Sequence, residues 1–155
     1  MSDKIESFHG EYRWLSNFWP CEIIYDGGTY PSTEHAFQAA KTLDITERFA
    51  FINMRTAGEA KRAGKKVTLR ADWQEVKFNV MRQVLAKKFT CTNDLGKQLV
   101  ATGDAELIEG NTWNDTIWGV CNGVGDNMLG KLLMELREHL KVMIGPEKRG
   151  VTFGG

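Results

Sequence analysis

Three polar side chains share one face of a helix that is predicted to follow Pro31. At about 100° per residue, Glu34, Gln38 and Lys41 fall on one narrow face of a helix expected over about 33–43. An acid, an amide and an amine within reach of one ligand could move protons, and the amine could capture an aldehyde as a Schiff base. The simpler interpretation is a solvated helix face with weak side-chain pairs, and the spacing alone favours it.

A second group of candidate residues lies in the loop from Gly110 to Gly125. It contains Trp113, Asp115 and Trp118. Two tryptophans in a glycine-rich loop are poorly explained as core, because a loop offers little apolar surface to bury them. A ligand pocket is therefore favoured slightly over local packing. In such a pocket a flat base could stack on an indole while Asp115 faces a sugar or a ring nitrogen.

The same loop leads into the start of the last predicted helix. Backbone N–H groups between Trp118 and Asn127 could hold a phosphate there, although an ordinary capped glycine turn is the more frequent structure. Phosphate or nucleic acid could also contact the basic run of residues 61–70, which is more often a solvated surface. His35 has no second histidine at helical spacing and the cysteines form no Cys-x-x-Cys pair, so no metal and no cofactor is expected.

The composition is that of a folded globular protein. Of the 155 residues, 42% are hydrophobic and 26% are charged, which excludes a disordered chain. The 20 basic and 20 acidic residues cancel, so nucleic acid is not bound through bulk charge, although a local basic face remains open.

A cytoplasmic protein without a membrane partner is predicted from three features of the sequence. The three cysteines are widely spaced, no apolar run is long enough to span a membrane, and there is no signal-peptide pattern.

The first predicted helix follows a hairpin. Asp26-Gly27-Gly28 is a turn signal between strands that are expected near 21–25 and 29–30. Ser32 or Thr33 is then expected to cap the helix. The helix face opposite the polar one is expected to pack in the core, and it consists of Ala36, Phe37, Ala39, Ala40 and Leu43.

The remaining predicted elements are mostly helices. Capping-box patterns at Thr56–Glu59 and Asp72–Glu75 begin two of them, and Gly145-Pro146 is expected to end the last one. The other expected elements are helices near 46–54, 73–89, 93–102 and 126–143 and a short strand at 106–109. The chain is therefore predicted to be α+β, mainly helical, with a small β element. One domain is expected over residues 1–145, followed by a flexible tail over 146–155.

Short segments distributed from about Phe8 to Leu140 carry a resemblance to a known family. The segments are Leu15–Phe18, Tyr30–Lys41, Trp73, Val80-Met81, Ala86–Phe89, Leu107–Glu109, Asn114-Asp115, Trp118-Gly119, Asn127–Gly130 and Leu133–Arg137. Each one is short, but their order and spacing together are specific. On these segments the chain resembles the NADAR superfamily, the YbiA-like N-glycosidases.

This resemblance implies a compact, mainly helical α+β domain and hydrolysis of the N-glycosidic bond between a ribose and a nitrogenous base. The substrates that it implies are early phosphorylated riboflavin-pathway intermediates or ADP-ribosylated guanine, including guanine within nucleic acid. The family motif places the functional acid at Glu34 and an aromatic residue at Trp73. The other matching candidates for catalysis or substrate binding are Asn17, His35, Gln38, Lys41, Glu109, Asp115, Trp118, Gly119 and Asn127.

Two chemical routes are open for such a reaction. In the first, Glu34 stabilises an oxocarbenium-like state or activates water, while Asp115 orients the ribose hydroxyls or protonates the base. In the second, Lys41 captures the opened ribose as a Schiff base and Glu34 moves protons. In both routes Trp73 and Trp118 are candidates to stack on the base. Arg13, or the basic run of residues 61–70, is a candidate to hold a phosphate.

The chain departs from the family pattern directly after Trp118-Gly119. Relatives often continue with Asp-Gly, whereas this chain has Val120-Cys121-Asn122 and lacks an acid at position 120. This departure bears on the choice of substrate. It also leaves open a module that binds ADP-ribose or a nucleotide without cleaving it. A structural or interaction protein would need an exposed apolar patch, which the sequence does not reveal, and no particular oligomeric state is indicated.

Overall fold

The computed structural model of the chain describes residues 3–148. The α+β, mainly helical fold predicted from the sequence is confirmed. The helices are α1 (Thr33–Ala39), α2 (Ile45–Ala50), α3 (Ala57–Ala63), α4 (Trp73–Lys88), α5 (Asp94–Ala101) and α6 (Met128–Lys148). The strands are β1 (Lys4–Ile5), β2 (Ile23–Tyr25), β3 (Gly28–Tyr30), β4 (Glu106–Leu107), β5 (Gly110–Asn111) and β6 (Val120–Cys121).

Residue contacts divide the chain into two compact units. We call Asn17–Lys88 the central unit, and the described residues before and after it the terminal unit. The central unit contains β2, β3 and α1–α4, whereas the terminal unit contains the other strands with α5 and α6. The flexible tail predicted over 146–155 falls mostly on residues 149–155, which lie outside the described residues.

The central unit begins with the predicted hairpin. β2 and β3 pair antiparallel, with Ile23 opposite Tyr30 and Tyr25 opposite Gly28. Asp26 and Gly27 have φ angles of 49° and 86°, and two consecutive positive φ angles are typical of the tight turns that suit twisted hairpins. The strand before the turn begins at Ile23, two residues later than predicted.

Helix α1 begins as predicted but ends early. The Ser32 hydroxyl caps the helix by accepting a hydrogen bond from the backbone N–H of His35 (3.1 Å). The helix ends at Ala39, because the following residues turn towards α2 and the Lys41 carbonyl accepts a bond from the Arg70 N–H (2.8 Å). Leu43 therefore leaves the helix and is 62% exposed, so its predicted place in the core was wrong.

The two predicted capping boxes have different outcomes. At α3 the box is confirmed, since Thr56 Oγ1 accepts from the Glu59 N–H (3.1 Å) and the Glu59 carboxylate accepts from the Arg55 N–H (2.9 Å). The box predicted at Asp72 was wrong. The Asp72 carboxylate instead pairs with the Arg70 guanidinium, and the Glu75 N–H bonds to the Asp72 backbone carbonyl.

The core of the central unit lies between α1, α3 and α4. The apolar side of α4 is largely buried, with Val80, Met81, Val84 and Leu85 each at most 5% exposed. Helix α1 packs against α3 and α4. This packing buries every residue of α1, including the polar ones.

The terminal unit is built on two parallel strand pairs and two packed helices. β1 pairs with β4, β5 pairs with β6, and α5 packs against α6. Asn93 caps α5, and Gly103 beyond its end has a φ of 67°, which is typical of a glycine that follows a helix. The predicted strand at 106–109 is only two residues long.

Helix α6 starts two residues later than predicted and reaches Lys148. Its backbone breaks at the predicted position, since Gly145 has φ 75° and ψ 164°, but helical residues continue after the break. Its leucines Leu129, Leu132, Leu133 and Leu140 are buried. Among residues 3–148, no helix is both long and apolar enough to cross a membrane.

Candidate active site

Asn17 positions the first turn of α1, the helix that carries the candidate acid. Its backbone carbonyl accepts from the Glu34 N–H (3.1 Å), and its side-chain oxygen accepts from the Thr33 hydroxyl (2.9 Å). Its amide nitrogen donates to the Met81 sulfur (3.5 Å). Asn17 was predicted to contact substrate. The structure uses both polar atoms of its side chain to hold the helix.

The side chain of His35 is likewise hydrogen-bonded to other groups of the protein. Its Nε2 lies 3.0 Å from the Met54 carbonyl, which can only accept, so Nε2 carries the hydrogen. Its Nδ1 therefore accepts from the Ser32 hydroxyl at 2.6 Å. Burial lowers the pKa of His35 and favours this neutral form. The side chain locks the start of α1, and both ring nitrogens are occupied by protein groups.

The predicted polar face of α1 is not a solvated surface. Glu34 and Gln38 are only 8% and 5% exposed. The Gln38 amide donates to a Glu34 carboxylate oxygen at 2.6 Å. A buried carboxylate is costly unless it is hydrogen-bonded, so Gln38 both stabilises Glu34 and fixes its orientation. This is the arrangement expected of a positioned acid or base.

Gly64, the residue after α3, leaves room for the Gln38 side chain. A Cβ atom at Gly64 would lie 1.9 Å from the Gln38 amide oxygen, so no larger residue fits without displacing Gln38. The φ of Gly64 is −60°, which any residue adopts, so the glycine serves the close approach and not an unusual backbone conformation. The position of Glu34 thus depends, through Gln38, on a glycine of another element.

Lys41 lies two residues beyond the end of α1. It is half-buried, and burial lowers the pKa of its amine. The nearby Lys61 and Lys65 lower this pKa further, while the Glu34 carboxylate raises it. The net direction is downward, so Lys41 releases its proton more readily than an exposed lysine. A neutral amine beside a carboxylate is suited to nucleophilic attack on a carbonyl or imine carbon.

Trp73, the predicted aromatic residue, begins α4. It is 6% exposed and its ring packs against Phe37 with the centroids 5.1 Å apart and the planes tilted by 57°. Within the central unit, Trp73 therefore contributes to the packing of α4 on α1.

The candidate loop of the terminal unit is held by two acceptor side chains. Asn111 Oδ1 accepts from the N–H groups of Trp113 (3.2 Å) and Asp115 (3.1 Å). Asp115 Oδ1 accepts from the N–H groups of Ile117 (3.2 Å) and Trp118 (2.9 Å). These bonds order the loop from within. The half-buried Trp118 and the half-exposed Trp113 are thereby presented in a defined conformation.

A second cluster of contacts in this loop involves Glu109, Gly119 and Asn127. Asn127 accepts from the Glu109 N–H (3.0 Å) and donates to the Leu107 carbonyl (2.9 Å), so both polar atoms of its side chain hold the backbone. A Cβ atom at Gly119 would lie 2.2 Å from the Glu109 carbonyl and 2.8 Å from its carboxylate. Gly119 is therefore needed for close backbone packing beside the Glu109 side chain.

The start of α6 was considered as a phosphate site, and the structure contradicts that interpretation. The N–H groups of Asp126, Met128 and Leu129 bond to backbone carbonyls of residues 116, 117 and 118 at 2.8–3.0 Å. The Asn127 N–H bonds to the Gly119 carbonyl at 3.3 Å. The loop therefore satisfies its own helix N-terminus, and these donors are not available to a ligand.

The sequence-predicted residues fall into two groups. Glu34, Gln38 and Lys41 come together in the central unit, around the end of α1. Arg13 belongs to the terminal unit, where its exposed side chain donates to the Gly10 carbonyl (2.8 Å). The remaining terminal-unit candidates are the loop residues Glu109, Asp115, Trp118, Gly119 and Asn127.

Two residues that organise these groups were missed from the sequence. Asn111 precedes Trp113 in a polar loop, and asparagine there is a recognisable signal for a side-chain turn. Gly64 offered no such signal, because a glycine at the end of a helix is normally explained as a cap. Only the position of Gln38 reveals its function.

Comparison with known proteins gives consistent matches over nearly the whole chain. The NADAR domain matches residues 6–141. The N-glycosidase YbiA of Shigella boydii is 42% identical over 150 residues, which cover 92% of each chain. A riboflavin biosynthesis protein of Vibrio vulnificus is 37% identical over 133 residues, which cover 84% of this chain and 36% of that protein.

The chain is also similar to a solved structure. The NMR structure of the Escherichia coli protein YbiA matches with a TM-score of 0.80 and 39% identity, and the match covers 92% of this chain and 88% of that one. These matches confirm the resemblance found in the sequence and the mainly helical fold.

Proposed function

The chain belongs to the NADAR domain family and is an N-glycosidase, and we propose that it hydrolyses the bond between a ribose phosphate and the nitrogen of a base. The substrate class that we propose is a phosphorylated ribosylaminopyrimidine, because a similar protein is named for riboflavin biosynthesis. ADP-ribosylated guanine contains the same kind of ribosyl–nitrogen bond and is the second class to be tested.

The observation that carries the proposal is the cluster of Glu34, Gln38 and Lys41. A carboxylate that is 8% exposed is held at 2.6 Å by an amide, and a lysine with a lowered pKa lies within its electrostatic influence. Keeping such groups out of water costs stability, and perturbed groups of this kind are concentrated at functional sites. The cluster contains two groups that can act at C1′ of a ribose, an acid–base and a nucleophile.

Glu34 can act in direct hydrolysis. Cleavage of a ribosyl C–N bond develops positive charge at C1′, and a fixed carboxylate stabilises that charge or removes a proton from the attacking water. The bond from Gln38 holds one carboxylate oxygen, so the carboxylate does not have to reorganise during the reaction.

Lys41 supports a covalent route, which its lowered pKa favours. The ribose opens at its C1′–O4′ bond: the proton of the base nitrogen moves to O4′, and C1′ becomes doubly bonded to that nitrogen. The neutral Lys41 amine adds to C1′, its two protons pass to the base nitrogen through Glu34, and the base leaves as its amine. Water then hydrolyses the Lys41–C1′ imine, which releases the sugar aldehyde and restores the amine.

The decisive experiment measures release of free base by liquid chromatography and mass spectrometry. The substrates are ribosylaminopyrimidine phosphate, ADP-ribosylated guanosine and ADP-ribosylated DNA. We expect wild type to cleave the first, and Glu34→Gln to lower turnover by about a hundredfold or more, since acid–base groups typically contribute ~10²–10⁴. Glu75→Gln is the matched control, because Glu75 is exposed on α4 and loses the same charge.

The outcomes separate the alternatives. Near-normal turnover of Glu34→Gln with an unchanged melting temperature would contradict the role of Glu34. Cleavage of only the ADP-ribosylated substrates would assign the second substrate class. No cleavage by wild type, together with saturable binding of ADP-ribose, would favour the non-catalytic binding module.

A further inference from the structure

We propose that the Arg70–Asp72 pair is a positioning device for Lys41, and that it holds the amine in the place where it reacts. This inference rests on the proposed function, in which Lys41 acts at C1′ of the substrate. It assigns to Arg70 and Asp72 a task other than phosphate binding, for which the basic run of residues 61–70 was considered.

The Arg70 backbone and side chain both contact the end of α1. The Arg70 N–H donates to the Lys41 carbonyl at 2.8 Å, and one terminal nitrogen of its guanidinium lies 3.4 Å from the Ala40 carbonyl. Two consecutive carbonyls at the point where the chain leaves the helix are thus bound by one residue. Both belong to the turn that carries the Lys41 side chain.

Asp72 holds the guanidinium in this orientation. Its two carboxylate oxygens accept from Arg70 Nε at 2.6 Å and from the second terminal nitrogen at 3.1 Å. A two-point arginine–carboxylate pair fixes the plane of the guanidinium, which leaves the remaining nitrogen directed at Ala40. The side chains of Arg70 and Asp72 are 19% and 41% exposed, so the pair lies at the edge of the packed unit.

Helix α1 needs a donor of this kind. The last carbonyls of a helix have no partner within it and carry partial negative charge, which a nearby cation stabilises. The last turn of α1 contains no basic residue of its own. Arg70 supplies both the donors and the positive charge from a distant part of the sequence.

The position of this turn decides how deeply the Lys41 amine is buried. The charged groups around Lys41 are Glu34 on α1 and Lys61 and Lys65 at the end of α3, together with the Arg70–Asp72 pair that binds its turn. If the turn loosens, water reaches the amine and the balance shifts towards its charged form. A loosened turn therefore affects catalysis in two ways, through the position of the amine and through its protonation.

The test measures Lys41 directly and compares four proteins. Acylation of Lys41 by acetic anhydride, followed as a function of pH by peptide mass spectrometry, reports the midpoint at which the amine becomes neutral. The proteins are wild type, Arg70→Gln, Asp72→Asn and the control Arg55→Gln. Arg55 is an exposed arginine of the same unit, outside the proposed machinery.

We expect the acylation midpoint to rise by about one pH unit in Arg70→Gln and by less in Asp72→Asn, because hydration restores the charged form. With the cleaved substrate, we expect kcat to fall about tenfold or more while KM changes far less, since a small misplacement of a reacting group is costly. Arg55→Gln should behave as wild type in both assays. Asp72→Asn keeps Arg70 and serves as the milder variant should Arg70→Gln not fold.

A purely structural pair would give a different pattern. The melting temperature of the variants would fall, but the acylation midpoint of Lys41 would match that of wild type and Arg55→Gln, and this result would overturn the proposal. The acylation assay requires no turnover. If wild type cleaves no substrate, the proposed function fails, while the midpoint still decides whether the pair positions Lys41.

Discussion

Glu34 and Lys41 differ in how their reactivity is set. Glu34 is held by a direct hydrogen bond from Gln38 within its own helix. Lys41 is controlled by its surroundings, because burial and the cations Lys61 and Lys65 act against its charge. The first effect orients a group and the second changes its protonation. The two effects therefore predict different experimental signatures.

The pH dependence of turnover should report the state of Lys41. If the neutral amine attacks, kcat rises with pH as Lys41 loses its proton. Because the pKa of Lys41 is lowered from 10.5, this rise should be complete at a lower pH than for an ordinary lysine. Removing the neighbouring charge in Lys65→Met should raise the pKa of Lys41, which moves the rise in kcat to higher pH.

Lys66→Met is the matched control for this experiment. It removes the same charge one residue further along, and Lys66 is not among the groups that act on the pKa of Lys41. We expect it to leave the midpoint of the profile in place. A kcat that falls over this pH range, or equal midpoints for Lys65→Met and wild type, would argue against the neutral amine as the nucleophile.

The contact between α1 and α3 connects backbone packing with the site. Gln38 on α1 lies against Gly64 at the end of α3, and this contact leaves no volume for a methyl group. Helix packing here sets the orientation of a side chain that in turn holds Glu34. We therefore expect a substitution at the end of α3 to change the catalytic activity.

Gly64→Ala should displace Gln38 and lower kcat strongly, because the added Cβ would overlap the Gln38 amide oxygen at 1.9 Å. Overpacking of this kind also destabilises a protein, typically by about 1–3 kcal/mol. Turnover and chemical denaturation of the purified variant test both expectations. Normal turnover of Gly64→Ala would show that Gln38 does not position Glu34.

Gly58→Ala, within α3 itself, is the control. A Cβ atom at Gly58 would meet the Arg62 side chain at 3.5 Å and the Thr56 hydroxyl at 3.9 Å, and both are ordinary contact distances. Replacing a helical glycine by alanine is favourable by up to ~1 kcal/mol. We therefore expect Gly58→Ala to be active and slightly more stable than wild type, so that the pair of variants separates the clash from any general effect of alanine.

A buried lysine should make the free energy of unfolding of the whole protein depend on pH. Lys88 at the end of α4 is 1% exposed, and burial lowers its pKa from 10.5 to about 7. In the unfolded chain the same amine stays protonated up to its ordinary pKa. Between these two pH values the unfolded state binds more protons than the folded state, so the contribution of Lys88 to the free energy of unfolding increases with pH.

Lys88→Met removes this titration and should therefore stabilise the protein most at about pH 7. The advantage over wild type should shrink with pH by up to about 1.4 kcal/mol per unit and should largely vanish near pH 10. Urea denaturation of both proteins at several pH values measures this difference in the free energy of unfolding. Lys87→Met, which changes an exposed lysine of the same helix, is the matched control. A constant difference for Lys88→Met would contradict the prediction.

Short-range features were predicted well from the sequence. The turn at Asp26-Gly27, the Ser32 cap and the Thr56 box depend on residues within a few positions of one another, and all three are confirmed. The predictions failed at two places that Arg70 contacts. Its guanidinium binds the Asp72 carboxylate, two residues away, which was predicted to cap α4. Its N–H bonds to the distant Lys41 carbonyl where α1 ends early, and Leu43 is exposed as a result.

The chain's own residues therefore established most of its helices, its hairpin, its family and the acid and amine that are the best candidates for catalysis, because these depend on local spacing and residue type. The burial of Glu34 and the lowered pKa of Lys41 could not be derived in this way. The pattern alone favoured a solvated face, since a helix shows which residues share a side but not what covers that side. Packing of α3 and α4 against α1 removed water from Glu34 and Gln38, and desolvation changes the chemistry of a group without changing its place in the sequence.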